Sequence, residues 1–348
     1  MKQTGRKPHM DALRVLAMLL VLYNHTGERG FLRFDAAHGV ARAAYLALAV
    51  LDTIAVPLFF MISGALLLGR EEPIRVCLKK RVLRYVLVIV GASTAMYVYS
   101  CRTDLSVMNL TDYTRGLYDG NITTSYWFLY AYLGYLLGLP LLRRLARAMT
   151  ERDFLYLTAV LGAVNALTTL EWVCFEGRFG LNGGVLPFAA VRVVYYPLAG
   201  YFLEQRFDAR ATQPQVLLAL LGAGALGVAL GCLVLMRAHA VLGYWTETAY
   251  GLFVFAPSMA VFAGLKALFE RVRLSPRAAR AWQEAGACTF GIYLFEKVYR
   301  DVSSRVYHAL APVTGGFAAC WAWILCAFLL GMGVTMVLRR LPGIKKLL

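Results

Sequence analysis

Arg14 and His25 stand eleven residues apart near the start of the chain, inside an otherwise apolar run. At about 100° per residue, eleven helical steps come to about 20° past three full turns. Both side chains therefore fall on one helix face, about 16 Å apart along the axis. A fixed cation sits toward one end of that face and a titratable imidazole toward the other. Imidazole is the side chain best suited to exchange a proton near neutral pH.

Four more ionisable residues, Asp52, Arg192, Glu296 and Lys297, lie in apolar stretches. A charge inside a bilayer is expensive and by default marks a functional site, although structural pairing and snorkelling toward an interface are the plainer alternatives. The run Lys79-Lys80-Arg81-Val82-Leu83-Arg84 gathers four cations at a helix start, with Arg81 and Arg84 three apart on one face. Such a cluster either anchors the helix at the membrane surface or holds a phosphorylated ligand, which Arg binds in bidentate fashion. In Phe59-Phe60-Met61-Ile62-Ser63-Gly64, the small residues permit close helix approach.

The elements that must carry these residues are membrane helices. The chain has 348 residues, 59 % of them hydrophobic and only 16 % charged, yet its 36 Lys and Arg outnumber 20 Asp and Glu for a formal charge of +16. Disorder needs the opposite composition. Seven cysteines, odd in number and never spaced as CxxC, do not make a disulfide scaffold. The basic residues alternate with long apolar runs, so neither a soluble DNA-binding domain nor a nucleic-acid partner is expected. A single-domain, all-α polytopic bundle remains.

Ten spans are expected, near residues 11–23, 43–68, 82–100, 126–142, 153–175, 185–203, 216–236, 248–268, 286–299 and 317–338. Pro57 is expected to kink the second. Segments 1–10, 70–84, 143–153, 204–215, 266–280 and 339–348 hold 24 of the Lys and Arg residues, whereas the alternate loops hold nine. That bias puts both termini in the cytoplasm of a multi-pass plasma-membrane protein. No soluble catalytic domain is expected in the loops or beyond Leu348.

Five segments together resemble the membrane acyltransferase 3 family. Asp11-Ala-Leu-Arg14, ten residues and then His25 is similar to its first-helix signature. Val56-Pro57-Leu58-Phe59-Phe60-Met61-Ile62-Ser63-Gly64 is similar to its second-helix motif, and Arg81-Val-Leu-Arg84 to its Arg-x-x-Arg pair. Tyr126-Trp127-Phe128-Leu129 resembles a segment opening a later helix. Thr289-Phe290-Gly291-Ile292-Tyr293-Leu294 resembles the family's late run. One departure stands out: where relatives often carry His two positions after the Leu, this chain has Glu296.

The resemblance implies transfer of an acyl group, usually acetyl, from cytoplasmic acyl-CoA to a hydroxyl on an extracytoplasmic glycan or related small acceptor. It implies no tightly bound cofactor. Arg81 and Arg84, with Lys79 and Lys80, are then expected to hold the CoA phosphates, and Arg14 to orient the pantetheine arm. His25 would act as general base or carry the acyl group covalently. Phe59, Phe60, Ser63 and Trp127 are candidates for the substrate channel, and Asp52, Arg192 and Glu296 for further roles. Two other readings compete: a transporter or exporter of glycans, and a membrane sensing or anchoring module.

No phosphate-binding Gly-x-x-x-x-Gly-Lys-Ser/Thr loop, no HExxH and no paired Cys/His metal spacing occurs. His9, His38, His239 and His308 are expected in loops or near termini. Gly227-Val-Ala-Leu-Gly231 should pack a helix, within the bundle or between protomers of a homo-oligomer. Tyr113, Tyr118, Trp127, Tyr244 and Trp245 read as an interfacial aromatic belt or as platforms for sugars.

Overall fold

A computed structural model describes residues 7–179, 192–208, 214–243 and 253–347. Among these the chain is helical and has no strand. The helices are α1 (Pro8–Asn24), α2 (Gly39–Leu51), α3 (Ala55–Leu67), α4 (Ile74–Cys77), α5 (Leu83–Ser100), α6 (Leu110–Asp119), α7 (Trp127–Ala148), α8 (Glu151–Phe175), α9 (Arg192–Arg206), α10 (Pro214–Leu242), α11 (Phe255–Arg271), α12 (Pro276–Leu294), α13 (Glu296–Thr314) and α14 (Gly316–Leu338). Six helical stretches among the described residues are long and apolar enough to cross a membrane: 39–67, 74–100, 124–148, 151–175, 214–242 and 296–338. The last joins α13 and α14, which pack on each other as a hairpin. Such stretches are those of a membrane protein.

The second expected span is continuous from 39 to 67 but tightens to a 3-10 turn over Asp52–Ile54. Pro57 explains it: proline lacks the N–H that would bond back one turn, and its ring crowds the carbonyl four residues earlier, at Thr53. The ninth expected span, 286–299, does not exist as one helix. The chain breaks at Phe295 (φ −124°, ψ 23°), ending α12 and starting α13. The beginnings of the spans expected at 185 and 248, with Tyr244 and Trp245, lie outside the described residues.

Two close approaches fix the middle of the bundle. At Gly64 in α3, an added Cβ would sit 1.9 Å from the Pro197 carbonyl oxygen of α9, and at Gly200 it would sit 1.9 Å from that of Met61. The backbones touch, which only glycine permits. Likewise Gly227 and Gly231 face α11 and α2 through Pro257 and Val50, so that GxxxG packs within the bundle.

One end of the bundle collects buried charge. Glu204 accepts from Lys7 and lies 3.0 Å from His9 Nε2. Lys266 is buried in α11, where its Nζ donates to the carbonyls of Leu203 (3.0 Å), Glu204 (2.9 Å) and Phe207 (2.5 Å). It thereby satisfies the open carbonyls at the end of α9. His9 lies near the N-terminus as expected, at the start of α1; His239 lies inside α10 and His308 inside α13, not in loops, while His38 precedes α2.

Candidate functional site

Arg14, partly buried toward the same end, is oriented by the carboxylate three residues before it: its Nη1 donates to Asp11 Oδ1 at 2.7 Å. Asp11 is set against Gly286 of α12, where a Cβ would come within 2.6 Å of the carboxylate. Arg14 faces a cavity of about 340 Å³ that opens at the basic end. Lys80, Arg81 and Arg84 line the mouth of this cavity with Leu347, whose carbonyl accepts from Arg84 at 3.2 Å. Arg14 comes from α1, Lys80 and Arg81 from the helical turn Leu78–Val82, and Arg84 from the start of α5.

The mouth is braced from outside. Glu72 accepts from Arg81 Nε at 2.7 Å and from Arg143 Nη2 at 3.0 Å, while Arg143 Nε donates to the Leu67 carbonyl at 3.0 Å. The hydrogen bond from Arg81, then that from Arg143, holds the Glu72 carboxyl below its ordinary range. Arg143 is 2 % exposed and looks like a loop cation in the sequence. Lys79 is exposed and does not line the cavity, which separates it from Lys80.

Deeper in, the cavity walls turn aromatic, with Phe59, Tyr85, Tyr132 and Phe290. Ser63 sits among them, its hydroxyl donating to the Phe59 carbonyl (2.8 Å) and lying 3.1 Å from the Tyr132 hydroxyl. Phe60, expected beside Phe59, does not line the cavity. It is 1 % exposed and packs behind the wall against Phe128 and Tyr135. The next helix position points about 100° away, and here that turn takes Phe60 behind the wall.

His25 does not lie within α1. It stands one residue past the helix end, as its C-cap, and its N–H still bonds to the Val21 carbonyl at 3.2 Å. It lines a second, smaller cavity of about 110 Å³, together with Asn24, Asp52, Thr53, Ser125 and Trp127. Asn24 donates to Asp52 Oδ1 at 3.2 Å. His25 Nδ1 lies 3.2 Å from Glu296 Oε1. That is close enough for an ion pair, though the ring is not aligned for a hydrogen bond. Arg300 then clamps both partners: Nε donates to Glu296 Oε2 at 2.6 Å, and Nη1 donates to the His25 carbonyl at 2.5 Å.

Glu296 was legible as a charge in an apolar stretch and as a departure from a pattern, and Arg300 only as an outer-loop cation. Their spacing of four residues becomes informative once α13 is known to begin at Glu296. Lys297 points elsewhere, half-exposed and 3.7 Å from Asp301, as a structural pair. The Arg192 side chain lies outside what the structure describes.

The two cavities share Phe128 and Tyr293 in their linings. These rings meet edge to face, with centroids 5.6 Å apart at 79°. Tyr293 is tied in place by donating its hydroxyl to the Ser125 carbonyl. Adjacent to it, Tyr126 donates to the Leu294 carbonyl at 2.6 Å. Neither Phe128 nor Tyr293 was singled out for a role by sequence reasoning, although both fall in the quoted motifs.

A cavity with three guanidinium and ammonium groups at its mouth, Arg14 further in and an aromatic throat fits an extended ligand that is anionic at one end and apolar at the other. An imidazole backed by a carboxylate fits proton transfer. A family model described as an acyltransferase domain matches residues 8–340. Comparisons with curated proteins and with solved structures returned no match.

Proposed function

Through residues 8–340 the chain belongs to the acyltransferase 3 family, and from that premise we propose that it moves an acyl group, acetyl in the first instance, from acyl-CoA to a hydroxyl of a glycan or related acceptor. The donor enters at the basic end and the acceptor at the His25 end. One observation carries this reading: the basic cavity and the His25 cavity share two lining rings, Phe128 and Tyr293. In the topology that fits it, ten helices cross the plasma membrane and the basic end faces the cytoplasm, where acyl-CoA is made.

Arg81, Arg84 and Lys80 hold the CoA phosphates, and Arg14 meets the pantetheine arm further in. The exposed Lys79 adds to the local field without touching the ligand. Tyr132 and Ser63 offer hydroxyls to the amides of the arm, and Phe59 packs on its methylenes. On the other side, Asp52, Asn24 and Trp127 orient the acceptor. Two polar side chains beside an indole face suit a sugar ring.

His25 acts as general base. Glu296 faces Nδ1, which leaves Nε2 for the acceptor hydroxyl. As the hydroxyl oxygen attacks the thioester carbonyl carbon, its proton passes to Nε2. The new C–O bond forms, the C–S bond breaks, and the thiolate leaves to take the proton back from the imidazolium as free CoA thiol. The Glu296 carboxylate, 3.2 Å from Nδ1, stabilises the transient imidazolium by its charge.

The test is transfer of labelled acetyl from acetyl-CoA into surface glycans by membranes carrying the intact chain or His25→Ala. Transfer should fall to background while the protein level holds. Undiminished transfer by His25→Ala would remove His25 from the reaction. Acceptor movement without acyl-CoA would favour an exporter instead.

A further inference from the structure

How long an acyl group the basic cavity accepts is decided by its inner wall. An acyl-CoA whose phosphates sit at Arg81 and Arg84 points its acyl end toward Phe128 and Tyr293, the two rings that the basic cavity shares with the His25 cavity. The two rings differ in freedom. Tyr293 has a polar tether to the Ser125 carbonyl and lies in the same short stretch as Leu294, whose carbonyl is held by Tyr126. The hydrocarbon side chain of Phe128 is held by ring contacts, with Phe59 at 5.8 Å, Phe60 at 5.4 Å and Tyr132 at 5.8 Å between centroids. A rotamer change there breaks no hydrogen bond.

We infer that Phe128 determines acyl-chain specificity: it closes the donor cavity short of His25, so that a two-carbon acyl group fits against its ring and a longer chain does not. This rests on the reading of the basic cavity as an acyl-CoA site. Rings in edge-to-face contact leave no passage for a methylene between them. A thioester and one methyl group need only a small displacement of the Phe128 ring to meet a hydroxyl beside His25. A longer tail has to displace the ring fully into a packed core, whose density resists it. Truncating Phe128 joins the two cavities and gives the tail a place to lie.

The experiment measures binding to the purified full-length chain in detergent micelles, with free CoA, acetyl-CoA, butyryl-CoA and octanoyl-CoA as probes. The intact chain should bind acetyl-CoA best among the acylated probes. In Phe128→Ala the ratio of butyryl-CoA to acetyl-CoA affinity should rise by about tenfold or more, since single methylenes in apolar pockets are worth that order. Phe128→Leu should fall between. Free CoA should bind all three chains alike, which shows that the phosphate end is folded. An unchanged acyl preference in Phe128→Ala with normal CoA affinity overturns the role of Phe128 and leaves the donor site standing. Failure of the intact chain to bind free CoA overturns the donor reading, and the specificity wall with it.

Discussion

Glu296 and His25 meet across the break between α12 and α13, with the carboxylate Oε1 3.2 Å from the imidazole Nδ1. The break at Phe295 is what allows it. A helix running straight through residues 286–299 would carry Glu296 onward in the α12 direction. Restarting the helix there turns its first residue toward α1. Arg300, one turn later, pulls the carboxylate and the His25 carbonyl together.

Replacing Glu296 with Gln keeps the shape but removes the charge that stabilises an imidazolium. Turnover of acetyl transfer is expected to fall about 10²-fold or more, with acetyl-CoA affinity little changed. The fall separates the proton-transfer role from ligand binding, and it is read from transfer rates at saturating acetyl-CoA. A Glu296→Gln chain that transfers at the normal rate makes the carboxylate a structural partner only.

The mouth of the basic cavity depends on Glu72. Its carboxyl is held below the ordinary range by Arg81 first and Arg143 second, so its contribution is of the depressed-carboxylate kind. Such a group stabilises the fold fully above the unfolded value of about 4.3, and the effect is lost as pH falls through the lower folded value. Melting temperature should therefore be flat in this respect from pH 7 to pH 5 and decline below about pH 4. Glu72→Ala should lower stability at neutral pH by about 3 kcal/mol, because it leaves buried Arg143 without its counter-charge. Melting of the detergent-solubilised chain across pH measures both.

At Gly64, alanine has nowhere to go. Its Cβ would overlap the Pro197 carbonyl oxygen at 1.9 Å, and the obstacle is backbone, which cannot rotate aside. Gly64→Ala should cost about 3 kcal/mol or more and reduce the amount of folded protein in the membrane. Gly91→Ala, in α5 with nothing near its Cβ position, is the matched control. It should be neutral or slightly stabilising, since alanine is the better helix former. Equal yields of the two variants would mean that α3 and α9 do not cross in contact.

The general architecture was readable from hydropathy because long apolar runs need no knowledge of partners. The helix break at Phe295 was not, because no proline or glycine marks it. Arg14, His25, Arg81 and Arg84 were legible from type and spacing, and the structure sets them around two adjoining cavities. Glu72, Arg143, Arg300 and Lys266 read as ordinary loop or helix-end charges. What distinguishes them is burial against residues as distant as Leu67, His25 and Leu203, which no local pattern encodes. Phe60 failed for a simpler reason: one residue's shift along a helix turned it behind the wall that Phe59 faces.

A topology anchor and a phosphate site would use the lysines and arginines of 79–84 differently. An anchor counts charges, so any of the four serves equally. A site counts positions. Lys80, Arg81 and Arg84 line the cavity and Lys79 does not. Arg84→Ala should raise the dissociation constant for free CoA about tenfold, the worth of a charge-assisted hydrogen bond. Lys79→Ala should change it less than about twofold, as a solvated surface charge. Added salt should weaken CoA binding to both variants, less steeply for Arg84→Ala, which has lost one charged contact. Membrane level and orientation of the two variants should match, since each loses one cation from the same loop. Equal effects on CoA affinity would reduce the cluster to a field of charge at the bilayer surface.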